Sequence, residues 1–164
     1  MSGSTNRAMA IELREMRPDE HDEIAERVID SFEPITWASK LDERIGPLAG
    51  VAWRDRWRSR LRAAFASEIV LIGELDGENI AYASGTYDGA TKLAFLDLLA
   101  VFKGGQGKGY GREMLRAYVD NMKQRGALYC QLDCLTDNDN ANELYKSEGF
   151  FKAASSYHWF LDMR

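Results

Sequence analysis

The chain is poor in the residues that build disulfide frameworks and metal centres. Its 164 residues include two cysteines and two histidines. Cys130 and Cys134 stand in the stretch "LYCQLDCLT". In a strand rising roughly 3.3 Å per residue they share a face about 13 Å apart, whereas a disulfide needs Cα atoms within about 7 Å. The opening residues, "MSGSTNRAMA", lack the apolar core of a secretory signal. With no feasible bridge between the cysteines, a reducing, cytoplasmic location is expected. His21 and His158 read as structural, and no H-E-x-x-H or C-x-x-C pattern gives a basis for a catalytic metal. No apolar run approaches the roughly 20 residues needed to span a bilayer. Positive charge is not in excess either: 21 basic against 26 acidic residues leave a net charge of −5. That balance argues against nucleic acid as a partner and is compatible with a cationic substrate.

The rest of the composition, 45% apolar and 29% charged, is that of a globular domain long enough to bury its own core. The expected organisation is a disordered lead over residues 1–10 and a single domain over 11–164. No repeat, low-complexity segment or linker interrupts it.

Period-2 alternation in "AIELREMRP" predicts a first strand ending near Pro18. Ile24, Val28 and Phe32 then fall at helical spacing behind acidic residues, as a helix N-terminus favours. Pro34 breaks that helix, and the following stretch through Pro47 reads as a loop. Trp53, Trp57, Leu61 and Phe65 repeat along one face of a second helix whose other positions carry five arginines. This is a packed tryptophan stripe with a solvated basic face, or a ligand-recognition helix. "EIVLIGEL" and "ENIAYASGTY" read as a hairpin closed at "DGEN". "KLAFLDLLAV" is apolar enough for a strand buried on both faces. Met114, Leu115, Tyr118, Val119 and Met122 mark a helix closed by Gly126. "LYCQLDCLT" follows as a strand, "NDNANELYKSEGF" as a short helix ended by Gly149, and "AASSYHWFLDM" as a last strand. Consecutive strands predict antiparallel pairing in the first half. The strand–loop–helix–strand unit from Gly104 to Thr136 predicts a parallel crossover. The expected fold class is α/β (α+β), a mixed, mostly antiparallel sheet flanked by helices.

Between the buried strand and the helix lies "GGQGKGYG", Gly104 to Gly111. A glycine-rich turn feeding a helix gathers free N–H groups at the helix's positive end, which suits a phosphate or pyrophosphate. The P-loop pattern fails, because Lys108 is followed by Gly109 and no glycine stands at 102. The dinucleotide fingerprint fails as well, because its third glycine falls on Tyr110 or Arg112.

What fits is Gln-x-x-Gly-x-Gly, at Gln106, Gly109 and Gly111, preceded by the strand "LLAV". Downstream, Leu132, Asn138, Ala141, Leu144, Tyr145, Gly149 and Phe150 fall on L-x-V-x-x-x-N-x-x-A-x-x-L-Y-x-x-x-G-F, with Cys134 in the valine's place. In these two motifs and in its order of elements over roughly residues 11 to 161, the chain resembles the GNAT superfamily of acetyl-CoA-dependent N-acetyltransferases. One departure is Lys103, at a place where family members often carry proline.

The resemblance implies acetyl-CoA in a cleft between splayed central parallel strands. Its pantetheine would pair with backbone at Leu99, Ala100 and Val101. Its pyrophosphate would lie on Gln106, Gly107, Lys108, Gly109, Tyr110, Gly111 and Arg112. Asn138, Ala141 and Tyr145 complete the cofactor-binding set. Tyr145 matches the family's proton donor to the leaving sulfur, against the alternative of a core tyrosine. Asp97 is the ionisable residue of "AFLDLLAV", and its place resembles that of a catalytic histidine in arylalkylamine-type relatives. It reads either as the base that deprotonates the incoming amine or as a hydrogen-bonded structural aspartate. Asp133 and Glu74 are weaker base candidates. The acceptor pocket implied by the resemblance would draw Phe32, Ile35, Thr36 and Trp37 from the loop between the first two helices, and Tyr157 and Trp159 from the far end of the chain.

The implied reaction is acetyl transfer to a primary amine of a small molecule by direct attack. A peptide α-amine or lysine side chain is the alternative acceptor. A non-catalytic acyl-CoA-binding module is the alternative from another class. The resemblance also allows a homodimer, since some family members pair through their last strands.

Overall fold

The computed structural model describes residues 10–164, so the lead expected over residues 1–10 lies, but for Ala10, outside the described residues. The chain divides into two compact units between Asp133 and Cys134.

The first unit is built on a five-stranded sheet ordered as in the chain: β1 (Glu12–Glu15), β2 (Ile69–Leu75), β3 (Glu78–Asp88), β4 (Leu93–Val101) and β5 (Tyr129–Leu132). The first three pairings are antiparallel and β4–β5 is parallel, the mixed arrangement expected from the sequence. The β2–β3 hairpin turns on Asp76 and Gly77, at φ 53° and 78°. Both central residues of a type I′ turn need positive φ, and Asp-Gly supplies that at low cost.

Four helices accompany the sheet: α1 (His21–Phe32), α2 (Trp37–Ile45), α3 (Trp53–Ser67) and α4 (Tyr110–Gln124). Ile24, Val28 and Ile29 of α1 and Trp53, Trp57 and Leu61 of α3 bury against Val70, Ile72, Tyr82, Leu98 and Ala100. Helix α4 covers the opposite face. A Cβ on Gly73, whose neighbours Ile72 and Glu74 point the other way, would meet the Met114 sulfur at 2.9 Å. Four of the five arginines of α3, Arg54, Arg56, Arg58 and Arg60, are paired rather than merely solvated. Arg54 meets Asp30 at 2.6 Å, Arg58 meets Glu26 at 2.5 Å and Arg56 meets Asp42 at 2.9 Å. The tryptophan stripe is thus core, and the basic face is matched by acidic partners, three of them on α1 or α2.

Two elements differ from the sequence reading. The stretch after Pro34 contains helix α2 where a loop is expected. Thr36 caps it by accepting from the Ala38 N–H at 3.3 Å. Its Asp42 carboxylate accepts from the Trp53 N–H at 2.7 Å and joins α2 to the start of α3. In the second unit, helix α5 (Asp139–Ser147) forms as expected, but "AASSYHWFLDM" forms no strand. Alternation alone does not make a strand, because its backbone groups need a partner ladder. Residues 151–164 lie exposed without one, Trp159 at 91%.

Candidate active site

The site begins at an irregularity in β4. Gly85 pairs with Leu96, and the next residue of β3, Ser84, pairs with Leu98. Asp97 is therefore the extra residue of a β-bulge. The bulge exchanges the faces of the strand. Leu96 lies with Gly85 on the α4 side, while Leu98 and Ala100 join the core under α1 and α3. Gly85 is required there by space. A Cβ would stand 1.9 Å from the Phe95 carbonyl oxygen and 2.3 Å from the Tyr118 hydroxyl, which donates to that carbonyl at 2.9 Å.

Beside the bulge the sheet opens. The β4–β5 ladder runs from Leu93–Tyr129 to Leu96–Leu132 and stops. From Asp97 to Val101 the edge of β4 facing β5 has no partner strand among the described residues. Leu99, Ala100 and Val101, the expected pantetheine positions, lie on that free edge.

The glycine loop follows directly. Gly105 donates to Phe102 O at 3.1 Å, and the Gln106 amide donates to Val101 O at 3.3 Å, so Gln106 steadies the turn. The N–H groups of Gly107, Lys108 and Gly109 have no backbone acceptor among the described residues. Gly109 opens α4 in the left-handed conformation, φ 82°, a backbone state that side chains with a Cβ rarely adopt. A Cβ at Gly107 or Gly109 would meet nothing within 4 Å. The space above both is therefore open to a ligand. Tyr110, Gly111 and Arg112 form the first turn of α4, where N–H groups lack intrahelical acceptors. Glu113 in that turn accepts from Ile11 N–H at 2.6 Å and ties it to the sheet. A free strand edge running into open amides at a helix N-terminus fits an extended thioester carrier that ends in a diphosphate.

Asp97 is not the unpaired carboxylate that the sequence alone suggests. Arg60 of α3 donates to it at 2.9 Å and is itself stacked over the Trp57 ring at 4.9 Å. Glu74, a weaker base candidate, is held by Arg14 at 2.7 Å, and Asp133 is exposed. The residue that sequence reasoning missed is Glu68, at the junction of α3 and β2. Burial, reinforced by the Asp97 carboxyl beside it, pushes its own carboxyl up to about 7. Its nearness to Asp97, 29 positions along the chain, leaves no trace in spacing or motif.

Of the expected acceptor-pocket residues, Phe32 is partly buried, with its ring 5.2 Å from Trp57. Trp37 is half-exposed at the start of α2, and Thr36 is buried as its cap. Tyr157 belongs to the exposed tail of the second unit, 6.3 Å from Trp159.

Within the second unit, the matched motif has a local physical reason. The Gly149 N–H bonds to Lys146 O at 3.2 Å and the Phe150 N–H to Tyr145 O at 3.0 Å, with Gly149 at φ 92°. This is a Schellman cap, and the Tyr145 and Phe150 rings meet at 5.8 Å as its apolar contact. The Gly-Phe pair thus fixes the tyrosine ring. Burial, with the Cys134 sulfur nearby, raises the Tyr145 phenol above its ordinary value and keeps it protonated at neutral pH. Asn138 stands at the N-terminus of α5, where its carbonyl accepts from the Asn142 side chain at 3.0 Å, and Ala141 lies in the first turn.

N-alpha-acetyltransferase 30 of Schizosaccharomyces pombe is 31% identical over 74 residues, 45% of this chain and 49% of that protein. The match thus spans about half of that relative's length. The structure of PaiA N-acetyltransferase from Thermoplasma acidophilum, in complex with coenzyme A, superposes with a TM-score of 0.69 at 18% identity, over 90% of this chain and 94% of that one. The aminoglycoside N-acetyltransferase AAC(6')-Iy, with a bisubstrate analogue, superposes with a TM-score of 0.63 at 12% identity, over 93% and 98%. The sequence model of the acetyltransferase (GNAT) family matches residues 14–150. With that match covering most of its length, the chain belongs to the acetyltransferase (GNAT) family.

Proposed function

We propose that this protein transfers the acetyl group of acetyl-CoA to a primary amine of a small molecule, by direct attack of the neutral amine. The observation that carries the reading is the end of the β4–β5 ladder at Leu96 and Leu132, directly before the open amides of Gly107 and Gly109. When bound, acetyl-CoA supplies an activated acyl group with a thiolate leaving group.

The protein's own residues do the rest. The free edge at Leu99, Ala100 and Val101 aligns the carrier, and the loop from Gln106 to Arg112, with the charge of Lys108, takes its diphosphate. Asn138 and Ala141, on the second matched motif, complete the binding set. Asp97 attracts the ammonium and starts its deprotonation, since an amine attacks only through its lone pair. The Tyr145 phenol gives its proton to the departing sulfur. Phe32, Trp37 and Tyr157 offer aromatic surface for the acceptor. We place the reaction in the cytoplasm, where the two free thiols stay reduced.

A peptide α-amine is the second reading, favoured by the 31% identity to an N-alpha-acetyltransferase. Thiol release from acetyl-CoA, measured over panels of small amines and of peptides with free N-termini, separates the two. The first reading expects turnover with a small amine, and turnover confined to peptides would replace it. A melting temperature unmoved by millimolar acetyl-CoA would sink both.

A further inference from the structure

Glu68, between α3 and β2, directly precedes Ile69, which pairs with Gly85, and Gly85 pairs with Leu96, the residue before Asp97 on the bulge of β4, so the register brings the two carboxyls together on the sheet's α3 side. Arg60 bonds Asp97 at 2.9 Å, so the positive charge sits on one member of the pair. Glu68 Oε2 is buried and lacks a hydrogen-bond donor. Beside it lie the hydroxyls of Ser84 and Tyr82, both residues 0% exposed, and neither hydroxyl makes a hydrogen bond of good geometry among the described residues. Strands and helices satisfy nearly every buried polar atom. These three groups lie together near the point where β4 and β5 part, the Ser84 hydroxyl beside both Glu68 and Tyr82, and so form a buried polar pocket around a carboxylate that can take up a proton.

We propose that Glu68 is the proton acceptor behind Asp97, the two carboxyls holding one proton between them during amine activation. This rests on the acetyl-transfer reading above. Asp97, partly exposed where the ladder ends, meets the ammonium. An N–H bond of the ammonium breaks and leaves the lone pair on a neutral amine. Asp97 passes the proton inward to Glu68, which enters the step ionised. The O–H bond of Asp97 breaks, Asp97 returns to its ionised form beside Arg60, and the O–H bond forms on Glu68, which loses the proton to solvent before the next turnover. Two touching carboxyls cannot both ionise cheaply, and Arg60 decides which one stays charged. The groups facing Glu68 are Asp97 from β4, Arg60 from α3, Ser84 and Tyr82 from β3, and Tyr118 from α4, whose phenol interacts with it at longer range. Both phenols are raised, mainly by burial, so neither competes for the proton. Glu68 acts through Asp97 and is a positioning residue in that sense.

The test needs a readout apart from turnover. Carboxyl carbon NMR of the ligand-free protein should show Glu68 titrating well above an ordinary glutamate, and Asp97→Asn should lower that midpoint by about one pH unit or more. In kinetics, kcat/KM should carry an acidic limb at the same midpoint with two acceptors of different amine pKa. Glu68→Gln should erase the limb and lower the plateau about 100-fold. Arg60→Gln, an exposed change compatible with folding, should move the limb to higher pH. An ordinary glutamate midpoint in the NMR titration overturns the pair while leaving acetyl transfer standing. A limb that survives Glu68→Gln, or that follows the acceptor's own pKa, overturns the role in catalysis. A wild-type protein that releases no thiol with any acceptor overturns the acetyl-transfer reading itself.

Discussion

Leu96 and Leu132 are the last residues that β4 and β5 share. One residue later β4 bulges at Asp97, and the chain reaches the glycine loop with its edge unpaired. Parallel strands with only four paired positions sacrifice ladder hydrogen bonds. A ligand able to bond to the exposed backbone would compensate them. That relationship motivates the first prediction.

Acetyl-CoA should raise the melting temperature of the wild type, and Gly109→Val should abolish the rise. A β-branched residue at φ 82° costs about 1–3 kcal/mol of strain and crowds the amides where the diphosphate would lie. Calorimetry with and without acetyl-CoA separates the effects. The ligand-free protein should melt only a few degrees lower, while the ligand-dependent shift disappears.

Gly85→Ala should be among the most destabilising single changes available to this chain. Its new methyl would stand 1.9 Å from Phe95 O, with backbone rather than a flexible side chain in the way. A loss of about 3 kcal/mol or more is expected, read as a fall in the denaturant midpoint. Tyr118→Phe, which deletes only the bond to Phe95 O, should cost about 1–2 kcal/mol.

Tyr145→Phe should slow thiol release about 100-fold while leaving coenzyme A affinity within a factor of two or three. The ring contact with Phe150 survives the change, so the Schellman cap stays intact. Parallel losses in turnover and in calorimetric affinity would assign the hydroxyl to binding instead.

The pH dependence of stability should carry two opposite signatures. Arg14, bonded to both Glu20 oxygens, holds Glu20 down at about 2 despite its burial. Its folded value lies below the unfolded one, so this stabilisation is complete above about pH 4.5 and is lost as pH falls toward 2. Glu20→Gln should flatten that acid limb. Glu68 behaves in reverse. Its folded value is raised, the native state holds the extra proton, and stability declines as pH rises from about 4.5 through about 7. Glu68→Gln should remove that decline, as followed by denaturation between pH 4 and 8.

Much of the architecture is legible in short stretches because its causes are local. Asp76-Gly77 permits positive φ at both places and so closes the hairpin. The Trp53–Trp57–Leu61 spacing puts one face of α3 in the core. Gly149 and Phe150 close a cap on the turn that carries Tyr145. Helix α2 is short and set between Pro34 and Pro47, which read as loop although Trp37, Leu41 and Ile45 fall at helical spacing, and what anchors it is Asp42 reaching Trp53 and Arg56 across the chain. The last strand is expected from alternation, yet no pattern within a segment can supply the neighbour its backbone needs.

The sequence by itself determined the family and the glycine loop and singled out Asp97 and Tyr145 as candidates, since each depends on residue types at fixed short spacing. Tertiary structure alone decided which charges meet. The bulge turns Asp97 to the side where Arg60 and Glu68 lie, 37 and 29 positions away, and makes a single proton worth sharing. Coulomb and burial effects depend on distance in space, and a linear string of residues does not contain that distance.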